Sequence, residues 1–131
     1  MNINRTAITR IAQKHHLRLL VLFGSHATGK THPKSDIDFA FYALHPVNEQ
    51  QLYDDLAALF KREDIDVLNL VTTHNHYLRF KILHTGKVVY EEKYGVYDRM
   101  KGESYFDYID FRKYYDLHDK LLSQRIAGMS I

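Results

Sequence analysis

The sequence lacks cysteine entirely and contains no long apolar run. Without cysteine, disulfide frameworks, thiol nucleophiles and the usual structural zinc sites are excluded, so any metal must be held by carboxylates or by the nine histidines. The longest apolar runs, around residues 19–23 and 39–44, fall far short of the roughly 20 residues that a membrane-spanning helix needs. The polar first five residues also lack the apolar core of a signal peptide. We therefore expect a cytoplasmic protein without membrane contacts.

Repeats, low-complexity segments and linkers rich in glycine, serine or proline are also absent. With 131 residues and a hydrophobic content of 45%, the chain is long enough to bury one core and too short for two full-sized domains. The net charge of +2 does not by itself indicate a nucleic-acid partner, and we expect none. Together, these features predict one globular domain.

The small net charge hides an uneven distribution of charge along the chain. Residues 1–35 contain six Lys or Arg and no acidic residue, whereas residues 36–66 contain eight Asp or Glu and only two basic residues. A basic segment followed by an acidic one could form a site for a phosphate and a divalent metal. An ordinary solvated surface has the same composition, so motifs must decide between the two interpretations.

Helical and strand patterns alternate along residues 1–92. Apolar residues recur at helical spacing up to about residue 15, after Asn48 as far as residue 60, and from a cap at Thr73 or Asn75 to residue 83. Strands are predicted at residues 17–23, 36–41, 65–71 and 87–90. Helices that alternate with short strands indicate an α/β sheet. We assign residues 1–92 to this core.

Residues 93–131 are predicted to form a helical extension, with a helical pattern from Ser104 to about Ile126. Residues 94–115 contain six of the ten tyrosines. Apolar and aromatic residues fall at spacings compatible with one helical face. Such a helix either closes over its own sheet as part of the same domain or docks a partner, and the sequence leaves both interpretations open.

Residues 24–31 match the P-loop expression G-x-x-x-x-G-K-[ST] and follow an apolar strand. A P-loop requires a long helix that begins at its Lys-Thr pair, because the first amides of that helix face the phosphates. Here Pro33 follows two residues later and the alternating strand at residues 36–41 comes directly after it. The context therefore argues against a P-loop ATPase or GTPase.

A second pattern starts at the same residues, because Gly24-Ser25 is followed after ten residues by Asp36-Ile37-Asp38. Side chains alternate between the faces of a strand, so Asp36 and Asp38 share one face while Ile37 faces the core. Two carboxylates at such positions can bridge divalent cations. This pair is the candidate metal site.

The predicted third strand supplies another carboxylate. Asp66 lies between Ile65 and Val67 inside the apolar run, whereas Asp64 falls at the start of the strand. We therefore choose Asp66 as the third ligand. A single aspartate is usually an exposed strand-edge charge, but three from neighbouring strands with Gly-Ser upstream favour a site.

The pattern formed by the Gly-Ser pair and the three aspartates resembles that of the minimal nucleotidyltransferases of the DNA polymerase beta superfamily. The resemblance rests on the strand ending in Gly24-Ser25, on Asp36 and Asp38 after the ten-residue gap, and on Asp66, and it covers about residues 3–92. The small size and helical tail are similar to the MntA-type antitoxins, which pair with HEPN-domain ribonuclease toxins. The resemblance implies a polymerase-beta-like fold, with a small mixed sheet flanked by helices and a C-terminal helical tail.

Nucleotidyl transfer is the attack of a hydroxyl on the α-phosphate of a nucleoside triphosphate, with pyrophosphate as the leaving group. The resemblance implies two Mg²⁺ ions held by Asp36, Asp38 and Asp66, with Asp66 nearest the acceptor. Gly24 and Ser25 would hold the β- and γ-phosphates at the start of a short helix. The loop residues Lys30 and Lys34 could neutralise the charge of pyrophosphate, although loop lysines are more often merely solvated.

The resemblance also implies ATP as donor and a tyrosine hydroxyl of a HEPN-domain toxin as acceptor, in a hetero-oligomer of a type VII-like toxin–antitoxin pair. The AMP-modified ribonuclease would be inactive. One alternative is a non-catalytic antitoxin that neutralises the toxin by binding alone. Another is a small-molecule nucleotidyltransferase such as one acting on aminoglycosides, but those enzymes carry a substantial extra domain for which this chain has no room.

Overall fold

A computed structural model describes residues 3–29 and 35–129 of the chain. Its helices and strands follow one another in the order α1 (Arg5–Lys14), β1 (Leu19–Phe23), α2 (Ser25–Thr28), β2 (Ile37–Tyr42), α3 (Glu49–Phe60), β3 (Ile65–Asn69), α4 (His76–Thr85), β4 (Lys87–Glu91) and α5 (Val96–Met129). The alternation predicted from the sequence is confirmed.

The four strands form one mixed sheet in the order β3-β2-β1-β4. Strand β1 runs antiparallel to both β2 and β4, whereas β2 and β3 are parallel. The predicted fold class, a small mixed sheet flanked by helices, is therefore confirmed. The parallel pair is the one that carries the candidate carboxylates, since it joins residues 37–41 to residues 65–69.

Each face of the sheet buries its own apolar cluster. One face packs against α1 and α3 and receives Ile37, Phe39 and Phe41 of β2. The other face packs against α4 and the start of α5 and receives Ala40 of β2 together with Val21 of β1. The alternation of β2 therefore places its even-numbered side chains on the α4 face.

Asparagine caps fix the first residues of three helices. The side chains of Asn4, Asn48 and Asn75 each accept a hydrogen bond, at 3.0–3.1 Å, from the backbone amide three residues later. Each cap of this kind contributes about 1 kcal/mol. Asn75, not Thr73, is the cap of α4.

The C-terminal end of α4 lies tightly against β1. A Cβ at Gly86 would lie 2.5 Å from Cγ1 of Val21 and 3.0 Å from the backbone oxygen of Leu22, so a larger residue could not occupy this position without displacing the strand. The glycine therefore holds α4 against the end of the sheet where β1 finishes.

The long helix α5 begins at Val96, so the predicted start near Ser104 is wrong. Val96 and Met100 are buried in the cluster on the α4 face, and the core therefore extends beyond residue 92. The backbone amide of Tyr97 donates a hydrogen bond to the carboxylate of Glu91, which fixes the first turn. Residues 110–128 are all exposed.

No helix within residues 3–29 and 35–129 has the length and apolar character needed to cross a membrane.

Candidate active site

Two of the predicted carboxylates face each other across the parallel strand pair. Asp38 of β2 and Asp66 of β3 are direct partners in the strand register. Asp38 shares its face with Ala40, so its side chain is on the α4 face of the sheet. Asp38 is partly buried, whereas Asp66 and Asp36, the residue just before β2, are exposed. The predicted alternation of Asp36 and Asp38 with buried Ile37 and Phe39 is confirmed.

The electrostatics of Asp38 reflect this crowding of carboxylates. Burial raises the pKa of Asp38, and the negative charges of Asp66 and Asp36 and a hydrogen bond with Asp66 raise it further, while His26 opposes the shift. Ionised carboxylates at this spacing repel one another in a partly desolvated site. A bound cation would relieve that repulsion.

Gly24 lies directly against the Asp38 carboxylate. A Cβ on Gly24 would lie only 2.4 Å from Oδ2 of Asp38. The backbone of Gly24 has φ +74° and ψ −152°, a conformation that is essentially restricted to glycine. The residue therefore turns the chain from β1 into α2 and leaves room for Asp38 at the same time.

The predicted short helix after Gly24 is present as α2. Its turn is closed by backbone hydrogen bonds from Ala27 and Thr28 to the carbonyl oxygen of Gly24, at 3.1 and 3.2 Å. Ser25 is the first residue of this helix and directly follows Gly24, whose backbone lies against the Asp38 carboxylate. Lys30 and Lys34, the other predicted phosphate ligands, lie outside the described residues.

Two residues that the sequence did not single out hold the backbone before Asp36. The Arg62 guanidinium donates a hydrogen bond to the backbone oxygen of buried Ser35 and also pairs with the Asp64 carboxylate. His26 Nε2 lies 3.2 Å from the same Ser35 oxygen. The hydrogen bond from Arg62 lowers the pKa of Asp64, so this carboxylate is occupied by an ion pair. No local pattern signals contacts between residues so far apart in the chain.

The donor set fits a hard divalent cation. Aspartate oxygens are the ligands that Mg²⁺ prefers, and three carboxylates of which two are direct strand partners supply them. In the described part of the chain, no three histidine, aspartate or glutamate side chains already lie close enough together to hold a metal. Metal binding by Asp36, Asp38 and Asp66 therefore stays a prediction from their chemistry and placement.

Solved structures of low sequence identity share this fold. A chain of the crystal structure of a toxin–antitoxin with AMP-PNP is 21% identical, with a TM-score of 0.74, over 92% of this chain and 99% of its own length. A chain of the toxin–antitoxin MntA-HepT is 19% identical, with a TM-score of 0.67, over 91% and 97%. A chain of the complex of the tri-AMPylated Shewanella oneidensis HEPN toxin with MNT antitoxin is 19% identical, with a TM-score of 0.67, over 91% and 96%.

No curated protein matches the sequence significantly. The family model described as "Polymerase beta, Nucleotidyltransferase" matches residues 6–94, which include Gly24, Ser25 and all three candidate carboxylates. This match spans more than half of the chain. The protein is therefore a member of the polymerase beta nucleotidyltransferase family.

Proposed function

We propose that this nucleotidyltransferase is the antitoxin of a toxin–antitoxin pair and that it transfers AMP from ATP to a tyrosine hydroxyl of a HEPN-domain ribonuclease. The observation that carries the proposal is the opposed pair Asp38 and Asp66, with Gly24 against Asp38, in a chain of this family. The similar solved structures include a toxin–antitoxin with AMP-PNP and a tri-AMPylated HEPN toxin bound to MNT antitoxin.

In this mechanism Asp36, Asp38 and Asp66 would hold Mg²⁺, whose preferred ligands are carboxylate oxygens. When bound, the metal stabilises the attacking and the leaving oxygen of an in-line displacement. The tyrosine oxygen forms a bond to the α-phosphorus while the bond to the oxygen that bridges the α- and β-phosphates breaks. Asp66, on the β3 side of Asp38, favours loss of the tyrosine proton, and pyrophosphate departs.

The leaving pyrophosphate lies on the β1 side of Asp38. There Ser25 and the backbone around Gly24 provide its contacts, and the absence of a Cβ at Gly24 leaves room for the phosphates beside Asp38. Lys30 and Lys34, which follow Ser25 in the sequence, would add positive charge. The modified toxin tyrosine gains the negative charge of AMP, which opposes binding of an RNA backbone.

The outer half of α5, residues 114–128, provides the surface that we assign to the toxin. Its large apolar side chains are between 46% and 64% exposed, namely Tyr114, Tyr115, Leu117, Leu121, Leu122 and Ile126. At 3.6 residues per turn these side chains fall within about half of the helix circumference, together with His118 and Arg125, while the other polar residues fall on the other half. An amphipathic helix that exposes its apolar face is typical of an interaction surface.

The similar solved structures support a toxin as the partner that covers this surface. They match 91–92% of this chain, which is more than the nucleotidyltransferase core alone, and they are chains of toxin–antitoxin complexes. Tyrosine enrichment in the helix suits a protein partner, since tyrosine is favoured at protein interfaces.

Co-expression of this chain with the proposed partner, a HEPN-domain ribonuclease, would separate catalysis from simple binding. The unaltered chain should restore growth of cells that express the ribonuclease, and Asp36→Asn should fail to do so although it still binds the ribonuclease. Protection by Asp36→Asn equal to that of the unaltered chain would instead identify a non-catalytic binding antitoxin. Asp54→Asn, at an exposed position of α3 outside the surface assigned to the toxin, is the matched control and should protect fully.

A further inference from the structure

We infer that Arg62 is a positioning residue of this nucleotidyltransferase, because it joins the start of β2 to the start of β3 and so keeps the three candidate carboxylates aligned. The inference rests on the proposed metal site and does not depend on which acceptor is modified. Within residues 3–29 and 35–129, Arg62 hydrogen-bonds to Asp64 and Ser35 rather than to the candidate ligands. It therefore acts through the backbone that carries those ligands.

One guanidinium group reaches both strands. Nε of Arg62 donates a hydrogen bond to Oδ1 of Asp64 at 2.7 Å, and Nη2 donates to Oδ2 of the same carboxylate. Nη2 also donates to the backbone oxygen of Ser35, a buried residue. A planar guanidinium presents its donors in a fixed fork, so it can serve a carboxylate and a second acceptor at once. The side chain thus bridges the residue just before β3 and the residue two positions before β2.

The bridge lies at the first rung of the parallel ladder. The backbone amide of Ile37 donates a hydrogen bond to the backbone oxygen of Asp64 at 3.0 Å, and the register then runs through the opposed pair Asp38 and Asp66. Successive side chains of a strand point to opposite faces, so a slip of one residue would move Asp66 to the other face of the sheet. Holding the first rung therefore holds the two carboxylates opposite each other.

The backbone oxygen of Ser35 also contacts the short helix α2. Nε2 of His26 lies 3.2 Å from this oxygen, which has two lone pairs and can accept hydrogen bonds from two side chains. His26 is the second residue of α2, the helix that follows Gly24. The segments that carry Gly24, Asp36 and the third carboxylate are thus joined beside one backbone oxygen.

Arg62 is itself held in place by α3. Its backbone amide donates a hydrogen bond to the backbone oxygen of Ala57 at 3.1 Å, at the end of that helix. The hydroxyl of Tyr53 donates to the backbone oxygen of Glu63 at 2.6 Å, so the next residue is tied to the same helix. Helix α3 therefore supports the bridge between the strands.

The donors and the charge of Arg62 are committed to the protein. The hydrogen bond with Asp64 raises the pKa of Arg62, and the charges of Asp64 and Asp36 raise it further, although burial opposes the shift. The N–H groups on the Nε–Nη2 edge are used by Asp64 and Ser35. This arrangement favours a link between the strands over a direct contact with a phosphate.

Arg18 provides a matched arginine at the opposite end of the sheet, directly before β1. Its Nε donates a hydrogen bond to Oε2 of Glu92 at 3.0 Å, and its guanidinium lies 5.8 Å from the centre of the Tyr42 ring. The side chain is 21% exposed, compared with 29% for Arg62. Arg18→Ala should therefore cost stability much as Arg62→Ala does, but it removes no contact near the aspartates.

Hydrogen exchange of the metal-free chain tests the link between the strands without any activity. Exchange of the Ile37 amide, followed by NMR, should be at least fivefold faster in Arg62→Ala than in the unaltered chain. In Arg18→Ala it should be less than twofold faster. Equal acceleration by the two variants would show a general loss of stability and would overturn the positioning role.

Binding of Mn²⁺ alone, measured by electron paramagnetic resonance, tests the consequence for the metal site. Mn²⁺ accepts the same oxygen ligands as Mg²⁺. We expect Arg62→Ala to weaken Mn²⁺ binding at least fivefold and Arg18→Ala to change it less than twofold. Arg62→Lys keeps the charge but cannot form the same fork, so it should recover only part of the loss. An unchanged affinity of Arg62→Ala, or full recovery by Arg62→Lys, would overturn the assignment.

The two measurements need no acceptor and are therefore separate from the proposed transfer to a toxin. If the unaltered chain modifies the toxin while Arg62→Ala binds Mn²⁺ equally well, the role of Arg62 is overturned and the proposed function stands. If both measurements depend on Arg62 but no toxin is modified, the outcome is the reverse. An unaltered chain that binds no Mn²⁺ would contradict both.

Discussion

Asp38 and Asp66 are direct partners on the parallel strands β2 and β3. They lie at the end of the sheet where the neighbouring strand β1 finishes, just before Gly24. The pairing brings two carboxylates together on one face, and the pKa of Asp38 rises because of burial and the nearby negative charges. Because the pKa of Asp38 is raised, ionisation of this carboxyl in the metal-free protein opposes folding. The same repulsion provides free energy for binding a divalent metal.

Asp38→Asn should stabilise the metal-free protein at neutral pH. Because the pKa of Asp38 is raised in the folded state, the stability associated with this group is highest below the ordinary carboxyl pKa and is lost as pH rises through the raised pKa. Thermal unfolding followed by circular dichroism should show a higher melting temperature for the variant, with the difference shrinking at acid pH.

The same variant should lose nucleotidyl transfer by at least about 100-fold, because a metal ligand is missing. Mg²⁺ should raise the melting temperature of the unaltered chain more than that of Asp38→Asn. Asp54→Asn, at an exposed position of α3, serves as a control for the loss of one charge. A melting temperature of Asp38→Asn below that of the unaltered chain would contradict the repulsion.

Gly24→Ala should damage both the fold and the site. The new Cβ would meet Oδ2 of Asp38 at 2.4 Å, and the backbone conformation costs a non-glycine residue about 1–3 kcal/mol. We expect a lower free energy of unfolding, measured in urea, and a loss of transfer. Gly102→Ala is the matched control, because a Cβ there meets no atom within 4 Å and alanine favours a helix. Equal effects of the two substitutions would argue against a special role for Gly24.

Asp55 should make the stability of the fold depend on pH in the direction opposite to that of Asp38. Its Oδ2 accepts a hydrogen bond from Lys14 Nζ at 2.9 Å and lies 2.6 Å from His15 Nε2, which ties α3 to α1. Burial acts to raise the pKa of Asp55, but the hydrogen bonds and charges of Lys14 and His15 outweigh it and lower the pKa. The stability from this group is therefore present above the ordinary carboxyl pKa and is lost as pH falls through the lowered value.

Asp55→Asn should accordingly cost roughly 1 kcal/mol at neutral pH and less in acid. Urea unfolding at a series of pH values measures the difference. Asp54→Asn, at the exposed neighbour, should change the free energy of unfolding little. A cost for Asp55→Asn that stays constant down to strongly acid pH would show that the ion pair is not its source.

The outer half of α5 should be required for toxin binding and dispensable for ATP binding. Leu121→Lys replaces an exposed apolar side chain of this surface by a charged one and should weaken binding to the toxin at least tenfold by surface plasmon resonance. Ser123→Lys, on the polar side of the same helix, adds the same charge and should have little effect. Equal toxin affinities for the two variants would show that the toxin binds elsewhere.

The sequence predicted the parts of the fold that depend on local patterns. The alternation at residues 36–41 and the glycine at the end of β1 indicated which strand carries the carboxylates. Asp66 lies within β3, opposite Asp38, whereas Asp64 pairs with Arg62, and the choice of Asp66 as a site residue stays a prediction. Metal binding by the three carboxylates stays a prediction.

Features that depend on packing could not be predicted in the same way. Helix α5 begins eight residues before the predicted start because Val96 and Met100 pack against α4 and β1, a contact with no local signal. The hydrogen bond from Arg62 to the backbone oxygen of Ser35 joins two residues that are distant in the chain. Only the folded structure brings them together.

The most direct test of the central claim is intact mass spectrometry of the cognate HEPN-domain ribonuclease after incubation with this chain, Mg²⁺ and ATP. The account predicts that the ribonuclease gains one or more AMP units on tyrosine and loses RNA-cleaving activity, and that Asp38→Asn adds none. A ribonuclease that is inhibited by the unaltered chain but carries no AMP would contradict it.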